Sequence, residues 1–171
     1  DQLLPALGMP GGRFAARLVP RRAAHAQGAE DVGFEVQLNV GLDPRPLSRV
    51  ASGGELSRLM LALKVVLAKH DAVPALVFDE VDQGIGGEAG ARVGEALAAV
   101  ARGGDRQALV ITHLPQIAAY ADHHLVVSKG ARGGIATSDV QVVTGDARRR
   151  EVARMLGDPD MDTALQHAAQ L

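Results

Sequence analysis

Ala75-Leu76-Val77-Phe78-Asp79-Glu80 sets four apolar residues directly in front of two acids. A continuous apolar run of this length, introduced by Pro74, predicts a short strand over 74–79 that is buried on both faces. Such a strand delivers two carboxylates to its carboxyl end. Charged side chains are rarely left unpaired at the end of a core strand. The plain alternative is a strand that simply emerges into solvent. The chemical one is a cation site, with Asp79 suited to an Mg2+ held partly through water and Glu80 suited to polarising an attacking water.

On the N-terminal side of this strand, Leu56, Leu59, Met60, Leu63, Val66 and Leu67 recur at the spacing of one helical face and predict a helix over about 53–69. On its C-terminal side, Gly84, Gly86 and Gly87 form a turn into a second helix over about 88–102. Gln107–Thr112 is a second buried strand, ending at His113, and 113–120 is a short helix. Leu125–Ser128 and Ile135–Val143 can pair across the glycine-rich segment 130–134, and Asp146–Leu156 and Asp160–Gln170 read as closing helices. Strand, helix, strand in this order predicts an α/β fold with a mainly parallel sheet flanked by helices. Ligands of such sheets bind at the carboxyl ends of the strands, which puts Asp79, Glu80 and His113 on one rim.

Upstream, Arg13–Val19 and Gly33–Val40 alternate apolar and polar residues, the pattern of an N-terminal β-hairpin, with 21–31 as its connection. Gly41–Val50 carries Pro44 and Pro46 and reads as loop. Residues 1–10, broken by Pro5, Gly8 and Pro10, look like the tail of an element whose body lies elsewhere.

The 53–69 helix opens with Ser52-Gly53-Gly54-Glu55. A capping box accounts for the serine and the glutamate. It leaves the glycine pair unexplained, since each glycine costs about 0.8–1 kcal/mol against alanine within a helix. Glycines fit a first turn whose backbone must come close to an anion, where free N–H groups and the positive dipole end face outward.

With 171 residues the chain corresponds to one domain, and 47% hydrophobic with 22% charged residues excludes disorder. No apolar run approaches the roughly 20 residues of a membrane span, and Asp1-Gln2-Leu3-Leu4 is no signal-peptide head, so a soluble cytoplasmic protein is expected. Zero cysteines exclude a disulfide scaffold, a thiolate metal site and a cysteine nucleophile. The net charge of −2 comes from evenly mixed charges, and one Tyr and three Phe give no stacking platform for bases. Arg148-Arg149-Arg150 reads as the solvated face of a helix. His123 and His124, being adjacent, point to opposite faces of an extended segment and do not form a metal pair.

The serine-diglycine helix start, the strand ending Asp-Glu and the strand ending Thr-His stand in a fixed order. Together they resemble the C-terminal half of an ATP-binding-cassette ATPase head of the SMC type, over about residue 30 to the end. The wording Val50-Ala51-Ser52-Gly53-Gly54-Glu55-Leu56-Ser57-Arg58, Phe78-Asp79-Glu80-Val81-Asp82-Gln83-Gly84-Ile85-Gly86-Gly87 and Thr112-His113-Leu114-Pro115-Gln116-Ile117-Ala118 is similar to the DNA-repair branch of that family, and Ala51 in place of the usual leucine agrees with this branch. The resemblance implies ATP and Mg2+ as cofactors and double-strand-break repair as the process. It implies that Asp79 holds the metal, that Glu80 is the catalytic base and that His113 senses the γ-phosphate. Ser52, Gly53, Gly54 and Glu55 would meet the ATP of a second head, and Asp82 would belong to the D-loop beside it.

No Gly-x-x-x-x-Gly-Lys-Ser/Thr occurs, and none of the three lysines follows a glycine. The resemblance implies that this phosphate loop lies in an N-terminal half, separated by a long coiled coil. Residues 1–10 would then end the returning helix and 11–171 would be half of the head. The partners so implied are that N-terminal half, a second head in an ATP-dependent homodimer, and nucleoid DNA through the full-length protein. A head of another SMC- or Rad50-like protein is the nearest alternative. An α/β-hydrolase, which uses the chain order Ser, Asp, His, lacks its Gly-x-Ser-x-Gly elbow here, because position 50 is valine.

Overall fold

The computed structural model describes residues 1–26, 28–49, 52–67, 70, 73–103, 106–132 and 135–157. The expected helix over 160–170, the end of the first helix at 68–69 and the Val50-Ala51 step lie outside them.

Three small sheets are present among the described residues. Strands β1 (Arg13–His25), β2 (Gly28–Gln37) and β3 (Arg45–Pro46) form an antiparallel sheet in that order. Helix α1 (Gly53–Leu67) leads to β4 (Ala75–Phe78), α2 (Gly87–Arg102) and β5 (Gln107–Val110), and β4 and β5 pair in parallel from Ala75↔Gln107 to Phe78↔Val110. Helix α3 (Pro115–Ala118) then precedes the antiparallel pair β6 (His124–Arg132) and β7 (Ile135–Val143), and α4 (Gly145–Leu156) follows. The α/β class holds, with the parallel element formed by β4 and β5.

Strands β1 and β2 take in residues 21–25 and 28–31, which the sequence reading leaves as a connection. The ladder continues past Val19↔Asp31 and Pro20↔Glu30 before its register shifts. Hydropathy misses this part because it is held by charge: Arg21 pairs with Asp31, as Arg17 does with Glu35. Pro20 is tolerated because β1 is an edge strand, where a missing N–H costs no ladder bond. The 41–50 loop contains β3 and a 3-10 turn at Leu47–Arg49.

The core gathers Leu59 and Leu61 from α1, Phe78 from β4, and Val93, Leu97 and Val100 from α2. Leu4, Leu7 and Met9, which lie in a series of turns over residues 2–11, insert into the same core. Two expectations are corrected here. The buried face of α1 is Gly54, Arg58, Leu59, Leu61 and Ala62, and Leu56, Met60, Val66 and Leu67 are exposed. The helix is apolar nearly all round, so periodicity left its phase open, and the glycine and arginine turn inward to meet the 80–83 turn. The second correction concerns β4 and β5. Val77 is 67% exposed and Leu109 47%, so this pair is covered on one face only, by α2 and the core.

Candidate functional site

The serine side of the expected capping box is present in the first turn of α1: the Glu55 N–H donates to Ser52 Oγ at 3.4 Å and the Leu56 N–H to Ser52 O at 3.1 Å. Both glycines are explained by what lies against them. A Cβ on Gly54 would sit 2.8 Å from Gln83 Cβ, 2.9 Å from Gln83 O and 3.0 Å from Glu80 O. A Cβ on Gly53 would collide with Oε2 of Glu80. The pair thus lets the helix start approach the turn that follows β4. The Gly54 N–H, one of the unpaired donors of the helix N-terminus, goes to Gln83 Oε1 at 3.2 Å.

Asp79 and Glu80 stand exposed at the carboxyl end of β4. Asp79 Oδ1 accepts the Glu80 N–H at 2.9 Å. Glu80 has φ of +57°, the left-handed region that a non-glycine residue enters at a cost. The Gln83 N–H closes the turn onto Glu80 O at 3.2 Å.

Asp82 is 4% exposed. Its Oδ2 accepts from the Thr112 hydroxyl at 2.6 Å and from the His113 N–H at 2.8 Å, and it lies 2.9 Å from His113 Nδ1. The Thr112 hydroxyl in turn accepts the Leu114 N–H at 3.0 Å. The His113 side chain is 74% exposed, so the ring is held at Nδ1 and open elsewhere. Asp82, expected beside nucleotide, is turned inward and serves the neighbouring strand end. The structure therefore brings Ser52, Gly53, Gly54, Asp79, Glu80, Asp82 and His113 to one rim.

Arg58 is the residue that sequence reading misses. Its Nη1 donates to Gln83 O at 2.7 Å and to Val81 O at 3.3 Å, across the base of the same turn. Burial pushes its guanidinium below the ordinary value, and Glu55 and Asp82 act in the opposite sense. The sequence signal was an arginine amid the apolar stripe of a helix. Arg148 is a second correction: Nη2 donates to the carbonyls of Ala121, Ala119 and Ala118 at 2.7, 3.0 and 3.4 Å, so it caps α3 and is no solvated residue. His124 is set apart from this rim. Burial pushes its imidazole below the ordinary range, Glu151 pulls it up and Arg148 lowers it again.

Among the described residues no three His, Asp or Glu side chains converge as a protein-only metal cage. Mg2+ needs none, because it keeps several waters and takes one or two carboxylates plus phosphate oxygens. Asp79 fits that donor set: an exposed carboxylate at a strand end, with one oxygen already oriented by the Glu80 N–H. Among the described residues no helix is long and apolar enough to cross a membrane.

No protein-family model matches the chain. Curated relatives do. The DNA repair protein RecN of Streptomyces coelicolor is 48% identical over 145 residues, covering 84% of this chain and 25% of the relative. That of Treponema pallidum is 44% identical over 178 residues, covering 100% of this chain and 31% of the relative. The chain thus spans between a quarter and a third of the length of these relatives. Among solved structures, the Smc head domain with a coiled coil and joint from Pyrococcus yayanosii superposes with a TM-score of 0.60 at 24% identity, over 90% of this chain and 27% of that one. A likeness at that identity carries the fold, and the closer relatives carry the family. The chain belongs to the RecN family of DNA repair proteins, as a segment with the fold of an SMC head domain.

Proposed function

We propose that this segment is one half of an ATP-hydrolysing head that acts in the repair of DNA double-strand breaks, in the bacterial cytoplasm at the nucleoid. The observation that carries the reading is the direct seating of the Ser52-Gly53-Gly54 helix start on the Asp79–Gln83 turn, with His113 tied to the same turn through Asp82. An anion-binding helix start, a water-directing carboxylate and a histidine then share one rim.

In this reading Asp79 is the residue that would hold Mg2+, and Glu80 orients and deprotonates the attacking water. Mg2+, when bound, neutralises charge on the phosphate oxygens. The N-terminal half of the head supplies the phosphate-cradling loop. Ser52, with the amides of Gly53 and Gly54, addresses the γ-phosphate of ATP on a second head, so that two heads close on nucleotide as a homodimer. Glu55 joins these residues beside that nucleotide. His113 senses the γ-phosphate from its exposed edge. Residues 1–10 end the returning arm of a coiled coil that joins the two halves, and DNA is engaged by the full-length protein.

An ester hydrolase built on Ser52, Asp82 and His113 fits less well. Ser52 caps a helix, and among the described residues the hydrogen bonds of His113 include no serine.

The test is Glu80→Gln in the full-length protein. Removal of a general base lowers hydrolysis by about 10²–10⁴-fold. ATP binding persists and the ATP-bound dimer accumulates in gel filtration. Loss of ATP binding in this variant would instead make Glu80 a metal ligand or a structural residue and overturn the assignment.

A further inference from the structure

Arg58 lies on α1 one turn beyond the glycine pair and is 4% exposed. A guanidinium in such a place is costly to desolvate, and here its Nε has no hydrogen-bond partner. Packing alone gives no reason for it among the apolar residues of the α1 core face. What it holds is a single turn, by the carbonyls of Val81 and Gln83.

That turn carries Glu80, the single non-glycine residue with positive φ among the described residues. A conformation of this kind is costly and persists only where its surroundings over-determine it. The surroundings do so from three sides. Arg58 takes the carbonyls on either side of Asp82, Asp82 is anchored on Thr112 and His113, and Gln83 Oε1 takes the Gly54 N–H.

We propose that Arg58, assisted by Gln83, is a positioning residue for Glu80: it fixes the 81–83 turn so that Glu80 stays left-handed with its carboxylate against the first turn of α1. The proposal rests on the reading of Glu80 as the group that directs water, and adds the residue that sets its geometry. It also makes the helix start and the Glu80 turn one rigid body. A displacement of either moves the other.

The experiment uses the full-length protein with Arg58→Met, Arg58→Lys, Glu80→Gln and the Arg58→Met/Glu80→Gln double variant, reading kcat, the Kd for ATP and the melting temperature. Misplacing a reacting group by about 1 Å costs on the order of 10²-fold, so Arg58→Met lowers kcat by about 10–100-fold while the Kd for ATP stays within about 3-fold. Arg58→Lys, which keeps a charged donor, recovers part of the loss. The double variant is no slower than Glu80→Gln, because both changes act on one step.

Unchanged kcat in Arg58→Met, a loss confined to ATP affinity, or losses that multiply in the double variant would overturn the proposal. If Arg58→Met does not fold, Gln83→Ala decides, since that residue is exposed. A fall in kcat at constant Kd supports the proposal and an unchanged kcat refutes it. Normal hydrolysis by Glu80→Gln removes the underlying reading and the proposal with it. An inactive Glu80→Gln beside a fully active Arg58→Met sinks the positioning role alone.

Discussion

Asp82 Oδ2 lies 2.9 Å from Nδ1 of His113, joining the turn after β4 to the end of β5 across 31 positions of sequence. A carboxylate on Nδ1 sets the tautomer and the ring plane, and leaves Nε2 as the exposed nitrogen. Asp82→Leu strands the Thr112 hydroxyl and the His113 N–H, and each buried donor left unpaired costs about 1–3 kcal/mol. We expect a loss of about 2–4 kcal/mol in urea unfolding of the full-length protein, together with loss of ATP hydrolysis. Asp82→Asn, which keeps the shape, loses less stability.

The two glycines of the helix start separate cleanly. Gly54→Ala gains about 1 kcal/mol of helix propensity but drives a methyl into the backbone of Gln83 and Glu80, which cannot give way. Overpacking costs about 1–3 kcal/mol and wins, so the melting temperature falls. Gly53→Ala meets only the flexible end of the Glu80 side chain. Its stability is unchanged or slightly higher, and its hydrolysis rate falls because the carboxylate is displaced. Thermal melts and single-turnover hydrolysis on both variants check this contrast.

Acid sensitivity should centre on the β6–α4 contact. Burial holds the His124 imidazole below its unfolded value, so the unfolded state takes up the proton first. Stability from this residue is therefore complete above the unfolded value and declines as pH falls through it. Glu151, held low chiefly by its hydrogen bond to Arg154, adds a second decline at lower pH. The urea midpoint of His124→Asn should fall less between pH 7.5 and 5.5 than that of the parent protein. Equal slopes would locate the titration elsewhere.

Supplied alone, the 171-residue segment should release no phosphate from ATP. Turnover should appear when the N-terminal half is added, and should rise more steeply than linearly with protein concentration if two heads complete each site, as proposed. Ser52→Arg removes that concentration dependence while one head still binds ATP. Robust turnover by the segment alone would place the phosphate loop within it.

Duplex DNA binding by the segment should be weak at physiological salt, with a shallow salt dependence, as its net charge of −2 and mixed ion pairs predict. Tight, steeply salt-dependent binding in an anisotropy titration would contradict this.

The elements readable from the sequence are those that rest on local rules. Helix α2, the β6–β7 pair and the Ser52 cap follow from periodicity, glycine turns and capping chemistry. The rim was legible because strand ends are marked by a switch from apolar to charged residues. What the sequence hid depends on contacts between distant segments. The role of Gly54 is set by the backbone of Gln83, the burial of Arg58 by two carbonyls, and the cap on α3 by Arg148 from α4. The phase of α1 was hidden for another reason: a helix apolar on most sides carries no record of which side a missing neighbour will cover.

The one-sided cover of β4 and β5 has a consequence for protein quality control. Val77, Leu109 and Ile111 are exposed, as are Val66 and Leu67, so in the proposed reading a copy of this segment without its counterpart attracts chaperones and is prone to clearance. Cellular half-life then reports on pairing. Substitutions that weaken the seat of the other half will lower the steady-state amount of the protein before they alter its chemistry. Abundance and turnover rate should accordingly be measured together in any variant of this head.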